Sequence, residues 1–576
     1  MKTPLTVIDF FCGAGGFSEG FRQAGFKIIA GYDSWGPAIK TYNHNFHLNC
    51  KEKNILDFQS IDEINTIPNT DIIIGSPPCV SFSSSNHSGK ADKSLGLKLI
   101  QTFLKIVAVK KLQANSQLKA WYMENVPNSL KYLKTAYTLN DLGLEEWAIQ
   151  NNYSPAHIAI EIDGNTAIIN AADYGAVQAR KRMFAGEIIN CHSLIIPPKT
   201  NDPKGQNRLP RYKSLSLVRQ SLPSPFSKKS DLVIKDPQYD IVLKQEQLYD
   251  HFYDTGIYQR EWELSKYWKT NHPFMGRMSF PEDNNKPSRT ITATRIANSR
   301  ESIIYKTEIT RTGDGEYRLP TVREGAIIMG FPITYQFLGN EGTKWKLVGN
   351  AVCCHVSRAF AQQTCKELKI RLKKHLEATP NTEGVENLNS FTLKSFKNPP
   401  VRKAGARFRR HSIKDGNMTV SLSNYDIVDN GKTDGIWRTS IQYGTGKGFP
   451  SQSIKSGTYI QIKDFLKERE EFNAFIDFMD KLKLRYISAK QLQDAYETHS
   501  NNDSDCKDPC ILINNLADYL NNHIPDILVI QSDVRFFLYK QAVPLRQFYA
   551  LFFINYISSN ANYLNHDKRS SNQENR

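Results

Sequence analysis

The 576-residue chain contains no apolar run of about eighteen residues, the length that crosses a bilayer as a helix, so no membrane span and no membrane partner are expected. Its first residues, MKTPLTVIDFFCGAGG, lack the basic region, apolar stretch and small-residue cleavage site of a secretory leader, and a cytoplasmic protein is expected. Cysteine is sparse. The nine cysteines show no repeating spacing, which excludes a disulfide framework and leaves free thiols in a reducing compartment. His499, Cys506 and Cys510 lie close in sequence but lack a fourth ligand at zinc spacing, so no metal is expected. Internal repeats are absent. Negative charge is in deficit: 58 acidic residues against 74 basic give a formal +16. That balance suits a polyanion, nucleic acid first, with a solvated basic surface as the alternative.

What is present is the composition of folded domains, with 40% hydrophobic and 23% charged residues. The length allows two to four of them. The first part alternates strands and helices: LTVIDFF, then a glycine turn into a helix, FKIIAGYD, GPAIKTYNHNF, TDIIIG, a helix over Leu95–Leu112, and AWYMENV. This rhythm predicts an α/β fold with a mostly parallel, Rossmann-like sheet covered by helices on both faces. After Gly186 the rhythm fails. Residues from about Ile195 to Pro287 are rich in Pro, Lys, Tyr and Asn and predict a small irregular domain. Helical texture returns with TVREGAIIMGF and with the segment from Val348 to Leu376. EATPNTEGVENLNS reads as a linker. A separate α+β domain is predicted beyond about Pro400, ending in a disordered tail.

Four stretches carry chemistry. DFFCGAGGFSEGF (Asp9–Phe21) is a strand, a turn with Gly13, Gly15 and Gly16, and a helix start, with Asp33 at the end of the next strand. Glycines there let a backbone approach a ligand, and an aspartate can accept from ribose hydroxyls. The Gly-Lys-Ser/Thr ending of a phosphate loop is missing, so a nucleoside without phosphates fits better. GSPPCVSF (Gly75–Phe82) ends a buried strand with two prolines and a thiol, Cys79. A cysteine is often only a small buried hydrophobe, but the carboxyl end of such a strand is where open sheets bind ligands. WYMENV places Glu124 and Asn125 at another strand end, as a functional carboxylate or as a helix-capping pair. QARKRMF alternates Arg180 and Arg182, which on an extended strand face one way, toward an anionic partner or toward solvent.

Taken in order, DFFCGAGG, GSPPCVSF, MENV, QARKR, RTITAT and VGNAV resemble the DNA cytosine-5 methyltransferase family of the bacterial restriction–modification type, over about Met1 to His375. The resemblance implies double-stranded DNA as substrate and S-adenosylmethionine as cofactor. It implies catalytic roles for Cys79, Glu124, Arg180 and Arg182. Cys79 would attack carbon 6 of a flipped cytosine, so that carbon 5 can accept the methyl group. Glu124 would hold ring nitrogen 3 and the exocyclic amine, and the two arginines would orient Glu124 and the base. The cofactor would lie against Phe11, Gly13, Gly15, Gly16, Asp33, Asn54, Ile55, Pro77, Asn350 and Ala351.

Asn54 replaces the acidic residue expected before Ile55, Ser34 replaces the expected aromatic, and KSLG (Lys93–Gly96) replaces the usual Asp-x-Arg-Gly. On this resemblance residues 1–190 form the first part of the catalytic domain and 191–288 a target-recognition domain. Residues 289–378 form the closing part, 379–400 a linker, 401–562 the added domain and 563–576 the tail. A monomer is expected, with a cognate restriction endonuclease as functional partner. Two rivals are an RNA cytosine methyltransferase and a non-catalytic DNA-binding regulator. The long segment before RTITAT favours a duplex reader over the first, and the intact Cys79, Glu124 and arginine pair argues against the second. The resemblance says nothing of the last 200 or so residues. RKAGARFRRHSIK there suits DNA backbone or solvent equally, YGTGKGF lacks phosphate-loop spacing, and PDILVIQSDVRFFLYK carries only half of a nuclease pattern, so a fused endonuclease is rejected.

Overall fold

The computed structural model describes residues 4–78, 93–227, 231–271, 277–390, 392–396, 410–416, 418–426, 431–432, 437–443, 451–454, 456–484, 487–498, 508–529 and 542–570. It divides into two compact units, residues 1–397 and 398–576.

The first unit begins β1 (Thr6–Phe10), α1 (Gly16–Gln23), β2 (Lys27–Tyr32), α2 (Gly36–Phe46), α3 (Ile61–Asn65), β3 (Ile72–Gly75), α4 (Lys93–Leu112) and β4 (Ala120–Asn125). Next come β5 (Ala136–Thr138), α5 (Glu145–Gln150), β6 (Ile158–Glu161), β7 (Thr166–Asn170) and β8 (Lys181–Ile188). One six-stranded sheet has the order β2-β1-β3-β4-β8-β7. The ladders from β2 to β4 are parallel, as the sequence rhythm predicts; β8 pairs antiparallel with β4 and β7. Every residue of β3 and β4 is buried. Both faces are covered, which is why these strands read as unbroken apolar runs. Alternation then sorts the side chains. Ile8, Phe10, Ile73, Trp121 and Met123 share a core with Phe103, Leu104 and Val107 of α4. Val7, Ile72, Ile74, Ala120 and Tyr122 pack with Phe17 and Phe21 of α1 on the other face.

The chain continues with α6 (Ser216–Ser221), β9 (Val233–Lys235), β10 (Val242–Lys244), α7 (Gln259–Thr270), β11 (Tyr305–Lys306), β12 (Tyr317–Arg318), α8 (Val322–Ile328), α9 (Glu341–Asn350) and α10 (Cys354–Glu367). The irregular region has short strands and shares a core with the closing segment: Leu215, Val218, Ile234 and Phe252 pack with Ile327, Phe331 and Val348. α10 lies on α1, and the approach is close. A methyl group added at Gly20 would sit 2.4 Å from the backbone nitrogen of Arg358.

The polar stretch read as a linker is instead part of the first unit, up to residue 397. Its polarity is spent on hydrogen bonds. Lys344 and Asp250 form an ion pair with both side chains fully buried, 2.7 Å apart. Such a pair is tolerated only when its remaining donors and acceptors are satisfied. The carbonyl of Glu386 accepts from Lys344, and the N–H of Leu388 donates to Asp250 at 3.1 Å. Asn389 accepts from the N–H groups of His251 and Phe252 and donates to the carbonyl of Leu248.

The second unit has β13 (Arg410–Asp415), β14 (Met418–Ser423), β15 (Tyr425–Asp426), β16 (Gly431–Lys432), β17 (Arg438–Tyr443) and β18 (Ser451–Ser453). Helices α11 (Ser456–Lys467), α12 (Phe472–Lys481), α13 (Ala489–Thr498) and α14 (Pro509–His523), the strands β19 (Leu528–Val529) and β20 (Val543–Pro544), and α15 (Leu545–Ser570) complete it. An antiparallel sheet, β13-β14-β17-β18, packs Met418, Val420, Leu422 and Ile441 into one core with Leu545, Phe548, Tyr549 and Phe552 of α15. The expected α+β character is present. α15 runs to Ser570, so the segment read as a tail from 563 is helical for its first eight residues. Of the motifs singled out there, His499, Cys506 and the larger part of the basic, glycine and nuclease-like stretches lie outside the described residues.

Asp9 illustrates the cost of this packing. It is fully buried on the α1 side of β1, where Ser18 donates to it at 2.7 Å and is itself 2.7 Å from the Tyr42 hydroxyl. Burial pushes its carboxyl up to about 8; the Ser18 hydrogen bond opposes this, and the nearby Asp33 adds to it. A carboxyl raised on folding binds its proton more readily in the folded chain. Stability therefore falls as pH rises from about 4 to about 8 and levels off above that. Asp9→Asn should flatten this slope in urea unfolding measured across that range; an unchanged slope would remove Asp9 as its source. Asn389→Ala strands two buried N–H groups and should cost the first unit ~1–3 kcal/mol in the same assay. A loss of a few tenths would mean that the 379–397 segment contributes little.

Candidate active site

The carboxyl ends of β2, β1, β3 and β4 lie side by side, and the chain leaves each of them in a different way. After β1, Phe11 takes a left-handed backbone conformation, φ 56°, which is uncommon for a residue with a side chain. Gly13 follows at φ 53°, and a methyl group there would meet only the carbonyl of Phe11 at 4.0 Å. Gly15 and Gly16 are different. A methyl group on Gly15 would strike Phe46 at 2.4 Å, and one on Gly16 would strike the Val352 carbonyl at 2.3 Å. Of the three glycines, Gly13 alone borders open space; the other two allow the turn to pack on α2 and on the segment after α9.

Asp33 follows β2. Its carboxylate accepts from the N–H of Gly13 and of Trp35, both at 2.9 Å. Burial raises its proton affinity, and these N–H groups and Lys346 oppose the rise. Lys346 lies 4.4 Å over the Trp35 ring. Asn54 accepts from the N–H of Leu56 at 3.0 Å and so caps a short turn whose first residue, Ile55, is buried. Ala351 is buried beside Gly16, while Asn350 is exposed at the end of α9. Pro77 is buried after β3 and Pro78 exposed; Cys79 lies outside the described residues.

Glu124 is the buried carboxylate of β4. The Nε of Arg182 lies 3.1 Å from its Oε1. Burial raises the proton affinity of Glu124, while Arg182 and then Arg180 hold it down. The structure thus brings Glu124 and Arg182 into contact. Arg180 shares the more buried side of this stretch with Arg182, Ala179 and Lys181 being exposed, but it takes different partners. It precedes β8, and its guanidinium donates to the carbonyls of Ile291 at 2.8 Å and of Gly349 and Ala351 at 3.2 Å. It acts on Glu124 by charge and on the site's outline by these bonds, which join RTITAT and VGNAV to the sheet.

Sequence reasoning passed over Gln178 and Trp345 and named Asn125 only beside Glu124, as one of a capping pair. Gln178 accepts from the N–H of Ile291 at 2.7 Å, Trp345 donates to the carbonyl of Thr292 at 3.0 Å, and Asn125 donates to the carbonyl of Pro77 at 3.2 Å. Gln178 and Asn125 stand inside motifs already singled out, so their polarity beside the arginines and Glu124 was the available signal. Among the described residues no group of His, Cys, Asp and Glu side chains could hold a metal ion, and no helix is long and apolar enough to cross a membrane.

The family model for C-5 cytosine-specific DNA methylase matches residues 5–366, which takes in the six stretches from DFFCGAGG to VGNAV. The Type II methyltransferase M.HgiDI of Herpetosiphon aurantiacus is 30% identical over 354 residues, covering 60% of this chain and 90% of that protein. A second from the same organism, M.HgiGI, is 46% identical over 107 residues, 18% of this chain and 80% of its own. Among solved structures, the Entamoeba histolytica methyltransferase EhMeth aligns with a TM-score of 0.38 at 19% identity, covering 64% of this chain and 99% of that one. With the parallel sheet, the paired Glu124 and Arg182 and the family match across residues 5–366, the chain belongs to the C-5 cytosine-specific DNA methylase family and is a DNA cytosine-5 methyltransferase.

Proposed function

We propose that the first unit methylates carbon 5 of a cytosine flipped out of a specific duplex sequence, through a covalent bond to Cys79, and so protects DNA from a cognate endonuclease. The observation that carries this reading is the Glu124–Arg182 pair, held on the strand next to the one that leads to Cys79.

The cofactor residues fit S-adenosylmethionine. Gly13 borders open space next to Asp33, whose carboxylate keeps further lone pairs for ribose hydroxyls after accepting two N–H groups. When bound, S-adenosylmethionine supplies the methyl group. The chain's own residues do the rest. The Cys79 thiolate attacks carbon 6 of the ring, which breaks its aromaticity and moves electron density to carbon 5. Glu124 offers a carboxyl of raised proton affinity to ring nitrogen 3, where charge develops during attack, and Arg182 fixes its orientation. Loss of the carbon 5 proton then expels the thiolate. The base must leave the stack first, because the ring face is closed in a duplex. Residues 191–288, rich in Lys, Arg, Tyr and Asn, are suited to reading that duplex.

Asp33→Ala should weaken S-adenosylmethionine binding by ~1.5–3 kcal/mol in calorimetry, the worth of hydrogen bonds to a charged acceptor. Unchanged affinity would take Asp33 out of the site. The covalent step is tested with DNA whose cytosines carry fluorine at carbon 5. Fluorine cannot leave as a cation, so the reaction should stop at an adduct that needs S-adenosylmethionine and survives denaturation. Cys79→Ser should abolish it, since a hydroxyl is a far weaker nucleophile than a thiolate. Glu124→Gln should slow it without loss of DNA binding. An adduct mapped to Cys12, Cys353 or Cys354 would overturn the mechanism.

A further inference from the structure

The turn that leads to Cys79 has few handles of its own. Pro77 and Pro78 have no N–H, so their only main-chain anchors are carbonyls. The anchoring donors come from the residues around them. Ser76, which follows β3, donates its N–H to the carbonyl of Phe10 at 3.1 Å and its hydroxyl to the carbonyl of Phe11 at 3.1 Å. On the other side, the Nδ2 of Asn125 donates to the carbonyl of Pro77 at 3.2 Å. Asn125 is fully buried, and its Oδ1 accepts from the N–H of Val126 at 2.8 Å, so both ends of its amide are committed.

These bonds make a row across the sheet. Asp33 holds Gly13, Phe11 holds Ser76, Pro77 is held by Asn125, and the residue before Asn125 is Glu124, held by Arg182. The cofactor turn and the carboxylate strand therefore meet at Ser76 and Pro77, two or three residues before the thiol.

We propose that Ser76 and Asn125 are positioning residues that fix the Pro77–Pro78 turn from both sides, so that Cys79 is presented in register with the cofactor turn and with Glu124. The proposal rests on Cys79 being the nucleophile. Each acts at one remove: Asn125 through the carbonyl of Pro77, and Ser76 by tying the residue before Pro77 to the carbonyl of Phe11.

The variants can separate positioning from plain stability. Asn125→Asp keeps the shape and the acceptor toward Val126 but loses the donor. Ser76→Ala loses the hydroxyl, and Ser76→Thr keeps it. The holoenzyme is assayed for kcat, for KM toward DNA and toward S-adenosylmethionine, for the rate of adduct formation on fluorinated DNA, and for Tm. Asn125→Asp and Ser76→Ala should lower kcat and the adduct rate together by about tenfold to a hundredfold, with KM for DNA unchanged. Ser76→Thr should restore both rates. If Asn125→Asp does not fold, the Ser76 pair decides alone. Wild-type adduct rates in Ser76→Ala and Asn125→Asp, or rates that fall only as Tm falls with no rescue by Thr, would overturn the proposal. Cys79→Ser is run in parallel. If it still forms the adduct, the nucleophile assignment falls and the proposal with it. If it is inert while Ser76→Ala and Asn125→Asp behave as wild type, the assignment stands and the positioning role is lost.

Discussion

One guanidinium organises the first unit. Arg180 is almost fully buried, and an unpaired cation there would cost several kcal/mol. Three carbonyls offset that cost, and they come from two segments far apart in the chain: Ile291 from one, Gly349 and Ala351 from the other. To satisfy Arg180, both must lie against the sheet beside β8. Gly16 then packs directly on the carbonyl of Val352, which sets the turn after β1, and Gly20 lets α10 follow α1. The outline of the site is thus a consequence of solvating one buried charge with backbone dipoles.

The three carboxyls near the strand tips show how burial is managed differently for different ends. All three are raised by burial. Glu124 is opposed by two arginines and Asp33 by backbone N–H groups, so each retains polar character where a ligand would meet it. Asp9 has mainly Ser18 to oppose the rise and is held near neutral charge. It behaves as packing with a polar edge, although it stands only two residues before Phe11 in the same motif.

The parallel sheet and the order of its helices were legible in the sequence because the strands are short, apolar and separated by turns at regular intervals. Glu124 and Asp33 were legible as candidates because each is a carboxylate at the end of an apolar run. The different jobs of Arg180 and Arg182 were not. Their alternation suggests a shared side, and the exposed Ala179 and Lys181 agree with it, but the carbonyls that Arg180 bonds lie more than a hundred residues downstream and leave no local sign. The glycines carry the same lesson: Gly13, Gly15 and Gly16 look equivalent in sequence, and only the tertiary neighbours separate ligand space from close packing. The stretch from 379 looked like a linker because its residues are polar; the buried Lys344–Asp250 pair that consumes this polarity is invisible locally.

The placement of Arg180 also bears on how the chain is made. Its carbonyl partners Gly349 and Ala351 leave the ribosome roughly 170 residues after it does, a delay on the order of ten to thirty seconds at ordinary rates of synthesis. Until then two of the three carbonyls that solvate Arg180 are missing, and water must stand in for them. The nascent first half can form its parallel strands but not the wall that Ala351 and Val352 build against Gly16. A message broken before that point yields no slower version of the enzyme; it yields a sheet with one side of its crevice missing.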